Sequence, residues 1–131
     1  MDEKAFSKKT VEILNKIRRQ KPLIHHITNF VVMNSTANVT LAIGASPIMA
    51  QAHEEMETIS AFSNALNLNI GTLNPYWVDS MLIAGKAAGQ RGIPIILDPV
   101  GSGATPLRTS AAKKILSELP VTVVRGNASE V

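Results

Sequence analysis

The residues best suited to chemistry follow an apolar segment that ends at Leu97. Asp98 comes directly after it, and the glycine-rich stretch 100–104 then leads to Thr105. A carboxylate at the end of a buried strand can hold Mg²⁺, and a glycine-rich loop before a helix can present backbone amides to phosphate. Alternatively, Asp98 is an Asx-type turn residue before Pro99. The spacing alone does not separate the two interpretations.

A second polar stretch follows the apolar segment 121–124. Arg125 carries a fork of donors that can neutralise phosphate, and Glu130 could join Asp98 around a metal ion or its waters. Helix-start chemistry explains Asn127 and Glu130 equally well, as the cap and the third helical residue. Both interpretations stay open at this point.

Polar and small residues also follow the earlier apolar segments. Asn29 follows the first, and its amide can both donate to and accept from a ligand. Met49 ends the second, and Gly71 and Thr72 follow the third. A methionine there is often simply core and a glycine simply a turn, but their shared position at strand ends favours ligand contact.

The three histidines do not form a credible metal site. His25 and His26 are adjacent on a predicted strand, so their side chains point to opposite faces. His53 stands alone near a predicted helix start. We therefore expect neutral histidines that are buried or lie at the edge of the sheet.

Helical and extended patterns alternate along the whole chain and must position these residues. Strands are predicted at residues 23–24, 46–50, 66–70, 93–97 and 121–124. Helices are predicted at residues 4–19, 30–43, 56–62, 74–92 and 105–119. No two strands are close enough for a tight hairpin, so the pattern predicts an α/β fold: a doubly wound, mainly parallel sheet with helices on both faces.

Two details refine the helices. Asn74-Pro75 and Thr105-Pro106 each combine a capping side chain with proline at the first helical position. Residues 30–43 are apolar on nearly every side, which predicts a buried helix ending at Gly44.

Composition and charge restrict the function classes. The chain has 45% hydrophobic and 18% charged residues, typical of a folded globular protein. Its net charge of +3 arises in the first 21 positions, so the charge indicates one solvated helix face, and we expect no nucleic-acid partner. We find no cysteine, no secretory signal and no apolar run of membrane-spanning length, so we expect a cytoplasmic protein without membrane contact.

Taken together, five segments in this order resemble the hydroxyethylthiazole kinases, a family of the ribokinase-like superfamily. The segments are PLIHHITN at 22–29, GASPIMA at 44–50, LNIGTL at 68–73, LDPVG at 97–101 and RGNASE at 125–130. The resemblance covers nearly everything from residue 22 onward. Five strings in register are far more specific than any one of them.

The resemblance implies ATP-dependent phosphorylation of the hydroxyl of 4-methyl-5-(2-hydroxyethyl)thiazole, a step of thiamine salvage, with Mg²⁺. The implied contacts are Met49, Asn29, Gly71 and Thr72 for the substrate, Arg125 and Asn127 for ATP, and Asp98 and Glu130 for the metal. Such a reaction asks the protein chiefly to position groups and to neutralise charge on the transferring oxygens.

Family members are about twice this length, form trimers with the substrate pocket between subunits, and carry an anion hole and a cysteine base in their second half. By this likeness, residues 1–131 form the N-terminal part of a single ribokinase-like kinase domain, with the catalytic base expected beyond Val131 and a homotrimer when complete. The isolated chain is then expected to be inactive and poorly soluble. Two alternatives are another vitamin-precursor kinase of the superfamily and a non-catalytic ligand-binding or assembly module.

Overall fold

The computed structural model describes residues 2–131, in which helices and strands alternate. The helices are α1 (Glu3–Gln20), α2 (Met33–Ala42), α3 (His53–Phe62), α4 (Pro75–Gln90) and α5 (Pro106–Glu118). The strands are β1 (Leu23–Ile27), β2 (Ser46–Met49), β3 (Ala65–Asn69), β4 (Ile95–Asp98) and β5 (Val123–Val124). Every predicted element is present, with boundaries that differ by a few residues.

The five strands form one sheet in the order β2-β1-β3-β4-β5, and every neighbouring pair is parallel. The chain leaves β1 toward β2, and all later strands lie on the other side of β1. Since right-handed crossovers are the rule, α2 lies on one face of the sheet and α3, α4 and α5 lie on the other. The packing of α3 on α4 and of α4 on α5 agrees with this arrangement. The predicted α/β fold with a parallel sheet is confirmed.

Local chemistry explains where the two best-defined helices begin. The side chain of Asn74 accepts from the amide of Trp77 at 2.9 Å, and Pro75 follows at the first helical position. Thr105 accepts from the amide of Arg108 at 3.3 Å, again with proline next. Both predicted caps are therefore present.

The core lies between α4 and the middle of the sheet. Leu66, Leu68 and Leu97 from the central strands and Met81 from α4 are all fully buried. Close packing continues to α5, because a side chain at Gly85 would overlap the Leu119 methyl group. This core holds β3 and β4 in place, and those strands carry part of the site described below.

The burial prediction for the second helix is wrong. The segment 30–43 is not a buried helix: α2 begins at Met33, and Thr40 is its only buried residue. Phe30, Val31 and Leu41 expose more than half of their side chains. The stretch 34–38 (NSTAN) is mostly polar, and only one side of α2 meets the sheet, so the other side stays in solvent.

The first helix packs even less tightly. α1 forms as predicted, but none of its residues is buried, and Phe6 and Ile13 are among its exposed apolar side chains. Within residues 2–131, no helix combines the length and the apolar character that crossing a bilayer requires.

His26 on β1 is buried, as predicted, among polar contacts that suit only its neutral form. Thr40 donates its hydroxyl hydrogen to the Thr36 carbonyl at 2.8 Å, so its oxygen accepts from His26 Nε2, 3.3 Å away. The amide nitrogen of Asn67 lies 3.2 Å from Nδ1 and donates to it. Burial, with a smaller contribution from the neighbouring His25, lowers the pKa of His26 to about 4.

The protein should therefore lose stability as the solution is acidified below pH 6.5. In that range the unfolded chain binds a proton at His26 while the folded protein does not, so the stability is complete above pH 6.5 and declines until about pH 4. The lowered pKa corresponds to up to about 3 kcal/mol. Urea unfolding at pH 7.5 and pH 4.5 measures the loss. The decline should be shallower in His26→Gln, and an equal decline in both proteins would contradict the assignment.

Candidate functional site

The candidate site lies at the carboxyl edge of the sheet, where the chain reverses direction between β1 and β3. Ligands of open α/β sheets bind at such reversal points. Asn29 follows β1, Asn69 and Asp98 end β3 and β4, and Arg125 follows β5. All four line one cavity of about 510 Å³.

These four side chains form a continuous chain of hydrogen bonds. Arg125 Nη1 donates to Asp98 Oδ2 at 2.9 Å, and Asn69 Nδ2 donates to the same oxygen at 2.8 Å. Asn29 Nδ2 in turn donates to Asn69 Oδ1 at 2.8 Å. The guanidinium, the carboxylate and the two amide groups are thus held in fixed positions relative to one another across four strands.

Asp98 is bound on one side only. Its side chain is 14% exposed, and both bonds above go to Oδ2. Within residues 2–131, its Oδ1 has no hydrogen-bond partner. Arg125 is 77% exposed, so most of its donor fork faces open space. Asp98 Oδ1 and most of the Arg125 guanidinium are therefore available to a ligand.

The glycine-rich loop after β4 is fixed by charged side chains. Gly101 has a φ of +72° and Gly103 a φ of +90°, which L side chains rarely adopt. The amide of Gly101 donates to Glu130 Oε1 at 2.8 Å. Arg108 Nη1 donates to the carbonyl of Val100 at 2.8 Å. The amide of Gly103 donates to Thr109 Oγ1 at 2.9 Å, so the later part of the loop is held as well.

Arg108 also reaches the turn after β3. It donates to the carbonyls of Ile70 and Gly71 at 3.1 and 2.9 Å. Gly71 packs directly against Asn29, since a Cβ atom built on the glycine would lie 2.7 Å from Asn29 Nδ2. Thr72 continues the same turn. The predicted substrate residues Asn29, Gly71 and Thr72 are thus brought together.

Asn127 and Glu130 show the helix-start arrangement that the sequence suggested. Glu130 Oε2 accepts from the amide of Asn127 at 3.0 Å, and Asn127 Oδ1 accepts from the amide of Ser129 at 2.9 Å. The amide N–H groups of Gly101 and Asn127 lower the pKa of Glu130, and Arg125 adds a smaller effect. The carboxyl group is thus held in its charged form.

Asn127 and Glu130 nevertheless lie beside the other charged groups. They line a cavity of about 400 Å³ together with Asp98 and Arg125. Asp98 and Arg125 also line the larger cavity, so the two spaces adjoin. The structure therefore brings Asp98, Arg125 and Glu130 to one edge of the sheet.

Met49 is the predicted site residue that lies apart. It lines a different cavity of about 350 Å³, together with Tyr76 and Trp77. Trp77 contacts Phe30, with ring centroids 4.9 Å apart, and the Tyr76 ring stacks on His53 at 3.9 Å. Within one chain, Met49 and Asp98 thus line separate cavities, of which only the Met49 cavity is aromatic.

The donor set suits magnesium more than a transition metal. Among residues 2–131, no three histidine, cysteine or acidic side chains are placed to share a metal ion. Mg²⁺ does not need such a cluster, because one or two carboxylates, waters and substrate phosphates usually hold it. Asp98 Oδ1 is suited to be a direct ligand of Mg²⁺. Both oxygens of Glu130 already accept amide hydrogens, so Glu130 fits a contact through water.

Two residues of this edge were not singled out from the sequence, namely Asn69 and Arg108. Asn69 could have been noticed, because asparagine is depleted in strands covered on both faces, yet β3 contains it at positions 67 and 69. Arg108 carried no such signal. An arginine in the first turn of a helix gives no indication that it bonds to two distant loops.

The fold and this edge define an α/β protein with a doubly wound parallel sheet whose charged site lies at the strand ends. The sequence profile of the Hydroxyethylthiazole kinase family matches residues 14–131. The chain therefore belongs to the hydroxyethylthiazole kinase family.

Individual relatives agree with this assignment. A protein of Desulfosudis oleivorans named hydroxyethylthiazole kinase is 71% identical over the whole chain, which covers 48% of that relative. One of Caldivirga maquilingensis with the same name is 62% identical over 90% of the chain and 44% of the relative. The solved structure of a hydroxyethylthiazole kinase protein from Pyrococcus horikoshii OT3 superposes with a TM-score of 0.90 at 50% identity, over 94% of this chain and 48% of that one. The chain thus spans about half the length of these relatives.

Proposed function

We propose that the full-length protein carrying this chain transfers the terminal phosphoryl group of ATP to the hydroxyl of 4-methyl-5-(2-hydroxyethyl)thiazole. The observation that carries the proposal is the Arg125–Asp98 pair at the cavity edge, in a chain of the hydroxyethylthiazole kinase family. A guanidinium beside a carboxylate with one free oxygen can bind phosphate and a metal ion, which together neutralise charge in phosphoryl transfer. The product would serve thiamine salvage in the cytoplasm.

Charge neutralisation falls to the residues after β4 and β5. Arg125 contacts the phosphates with the part of its fork that Asp98 leaves unused, and Asn127 adds a contact beside it. Asp98 would hold Mg²⁺, and Glu130 would contact the ion through water. Bound Mg²⁺ would neutralise developing charge on the phosphate oxygens.

Substrate positioning falls to the residues after β1 and β3. Asn29 uses Oδ1 for the amides of Val31 and Val32 and one amide hydrogen for Asn69. One amide hydrogen of Asn29 is left for the substrate. The turn at Gly71 and Thr72 forms the adjoining wall. This arrangement supports hydroxyl binding close to Asp98, where transfer would occur.

The separate position of Met49 supports an assembled substrate pocket. Thiazole contacts from the aromatic cavity around Met49 and from Asn29 cannot come from one cavity of a single chain. In a homotrimer, the Met49 cavity of one subunit would face the Asn29 edge of the next. The exposed apolar side chains of Phe30, Val31 and Val39 are suited to such a contact between copies.

Residues 1–131 would then form the N-terminal part of a single ribokinase-like kinase domain. The general base would come from a residue beyond Val131. It would accept the proton of the thiazole hydroxyl as the hydroxyl oxygen attacks the γ-phosphorus. The present residues supply charge and position, so by themselves they should bind but not turn over.

The test is ATP consumption by the full-length protein in the presence of Mg²⁺. We expect ADP to form with the hydroxyethylthiazole and not with its analogue that lacks the hydroxyl. Hydroxymethylpyrimidine serves as the competing acceptor, because kinases of the same superfamily act on it. Absence of thiazole-dependent ADP, or a clear preference for the pyrimidine, would overturn the proposal.

A further inference from the structure

Asn69 occupies the centre of the hydrogen-bond chain at the sheet edge. It is buried, with 7% of its surface exposed, and lies directly beside Asp98 in the register of β3 and β4. Its oxygen accepts from the Asn29 amide at 2.8 Å and from the Gly71 backbone at 2.9 Å. Its nitrogen donates to Asp98 Oδ2 at 2.8 Å. Asn69 thus bonds to both the substrate side and the metal side of the proposed site.

The chemistry of this position requires an amide. The neighbours on one side, Asn29 Nδ2 and the Gly71 N–H, are donors, so the residue must accept there. The neighbour on the other side, Asp98, is an acceptor, so the residue must donate. An aspartate could accept but not donate when ionised, and an aliphatic side chain could do neither. Asparagine satisfies both demands at the length that the strand spacing allows.

We propose that Asn69 is a positioning residue of the phosphoryl-transfer site. It fixes the rotation of the Asp98 carboxylate, so that Oδ2 is engaged and Oδ1 stays available, and it fixes the Gly71 turn at the same time. This inference rests on the proposed function. Because the one amide group of Asn69 orients both the Asp98 carboxylate and the Gly71 turn, the substrate hydroxyl and the metal-binding carboxylate keep a constant separation. Misplacement by about 1 Å can cost on the order of 100-fold in rate.

Substitution by aspartate separates the two bonds that Asn69 makes. Asn69→Asp keeps the size of the side chain and an acceptor for the Gly71 amide, but it has no donor toward Asp98 Oδ2 and sets two carboxylates against each other. A role confined to holding the Gly71 turn would be rescued by aspartate. We therefore expect Asn69→Asp to lose as much activity as Asn69→Ala.

The experiment compares kcat and KM of these variants in the full-length protein at pH 8. Asn69→Ala should lower kcat about 10- to 100-fold, with a smaller change in the KM for the thiazole. Asn69→Asp should lose a similar factor. Asn64→Asp is the matched control, because Asn64 lies before the other end of β3 and its oxygen accepts from the Leu23 amide at 2.8 Å. It should behave as wild type.

The outcomes separate this inference from the proposed function. An active wild type whose kcat is unchanged in Asn69→Ala, or an Asn69→Asp variant that keeps the wild-type kcat, would overturn the positioning role alone. A wild type without thiazole-dependent turnover would overturn the proposed function. The positioning role would then be decided by Mn²⁺ titration in the presence of ATP. At pH 8, Asn69→Ala should bind Mn²⁺ at least several-fold more weakly than Asn64→Asp, and equal affinity would refute the role.

Discussion

Asp98→Asn should reduce kcat/KM of the full-length protein about 1,000-fold while leaving its melting temperature nearly unchanged. The asparagine oxygen can still accept from Asn69 and Arg125, as Asp98 Oδ2 does at 2.8 and 2.9 Å. Its amide nitrogen then replaces Oδ1, and an N–H group cannot bind Mg²⁺. The expected factor is the upper range for the loss of one preorganised electrostatic contact.

Steady-state kinetics at saturating Mg²⁺, with thermal unfolding of the same samples, measures this effect. Asp79→Asn is the matched control, since Asp79 lies exposed on α4 and only approaches Lys114 at 3.7 Å. It should retain wild-type activity. Retention of more than a tenth of the activity by Asp98→Asn would show that this carboxylate does not hold the metal.

Arg125→Met should reduce kcat/KM for ATP about 100- to 1,000-fold, again with little effect on stability. The arginine is 77% exposed, so its ion pair with Asp98 adds little to the free energy of unfolding. Arg125→Lys keeps the charge but loses the planar fork that matches phosphate oxygens. The lysine variant should therefore fall between methionine and wild type.

Initial rates at varied ATP and fixed thiazole concentration separate these variants. Arg19→Gln is the control, because Arg19 is an exposed arginine of α1, away from the site. Equal rates for the wild type and Arg125→Met at all ATP concentrations would show that Arg125 does not contact the nucleotide. A defect confined to the KM for the thiazole would reassign Arg125 to the substrate.

Much of the fold was predictable from the sequence because its signals are local. Asn74-Pro75 and Thr105-Pro106 mark helix starts through contacts within four residues. Apolar runs of about five residues between such starts indicate buried strands. The strand β4 begins two residues later than predicted, at Ile95. Pro94 has no N–H for the ladder, so regular pairing starts after it.

Burial was less predictable, because it depends on which surfaces meet. The segment 30–43 was predicted to be a buried helix, yet Val31 is 87% exposed and residues 34–38 are mostly polar. The sequence pattern shows which side chains are apolar. Whether such a side chain is buried depends on how many neighbouring helices or strands pack against its element. Leu107 of α5 is likewise exposed, whereas Ala111 and Ile115, which share its face at four-residue spacing, are buried.

The candidate site was predictable in outline and not in its connections. Asp98, Arg125 and Glu130 were expected at one edge because parallel strands end together. The sequence could not reveal that Asn69 joins Asp98 to Asn29, since these residues are 29 and 40 positions away from it. Arg108 is similar, with bonds to carbonyls 37 and 38 residues earlier. Such contacts follow from strand order, which no local pattern contains.

The chain of bonds from Arg125 to Asn29 spans four neighbouring strands and depends on their alignment. If β3 slipped by one residue against β4, Asn69 would turn to the opposite face and Leu68 would take its place beside Asp98. No excised peptide could preserve the arrangement, and a misaligned yet compact chain would lack it. Ligand binding at this edge would therefore report correct strand pairing as well as chemistry.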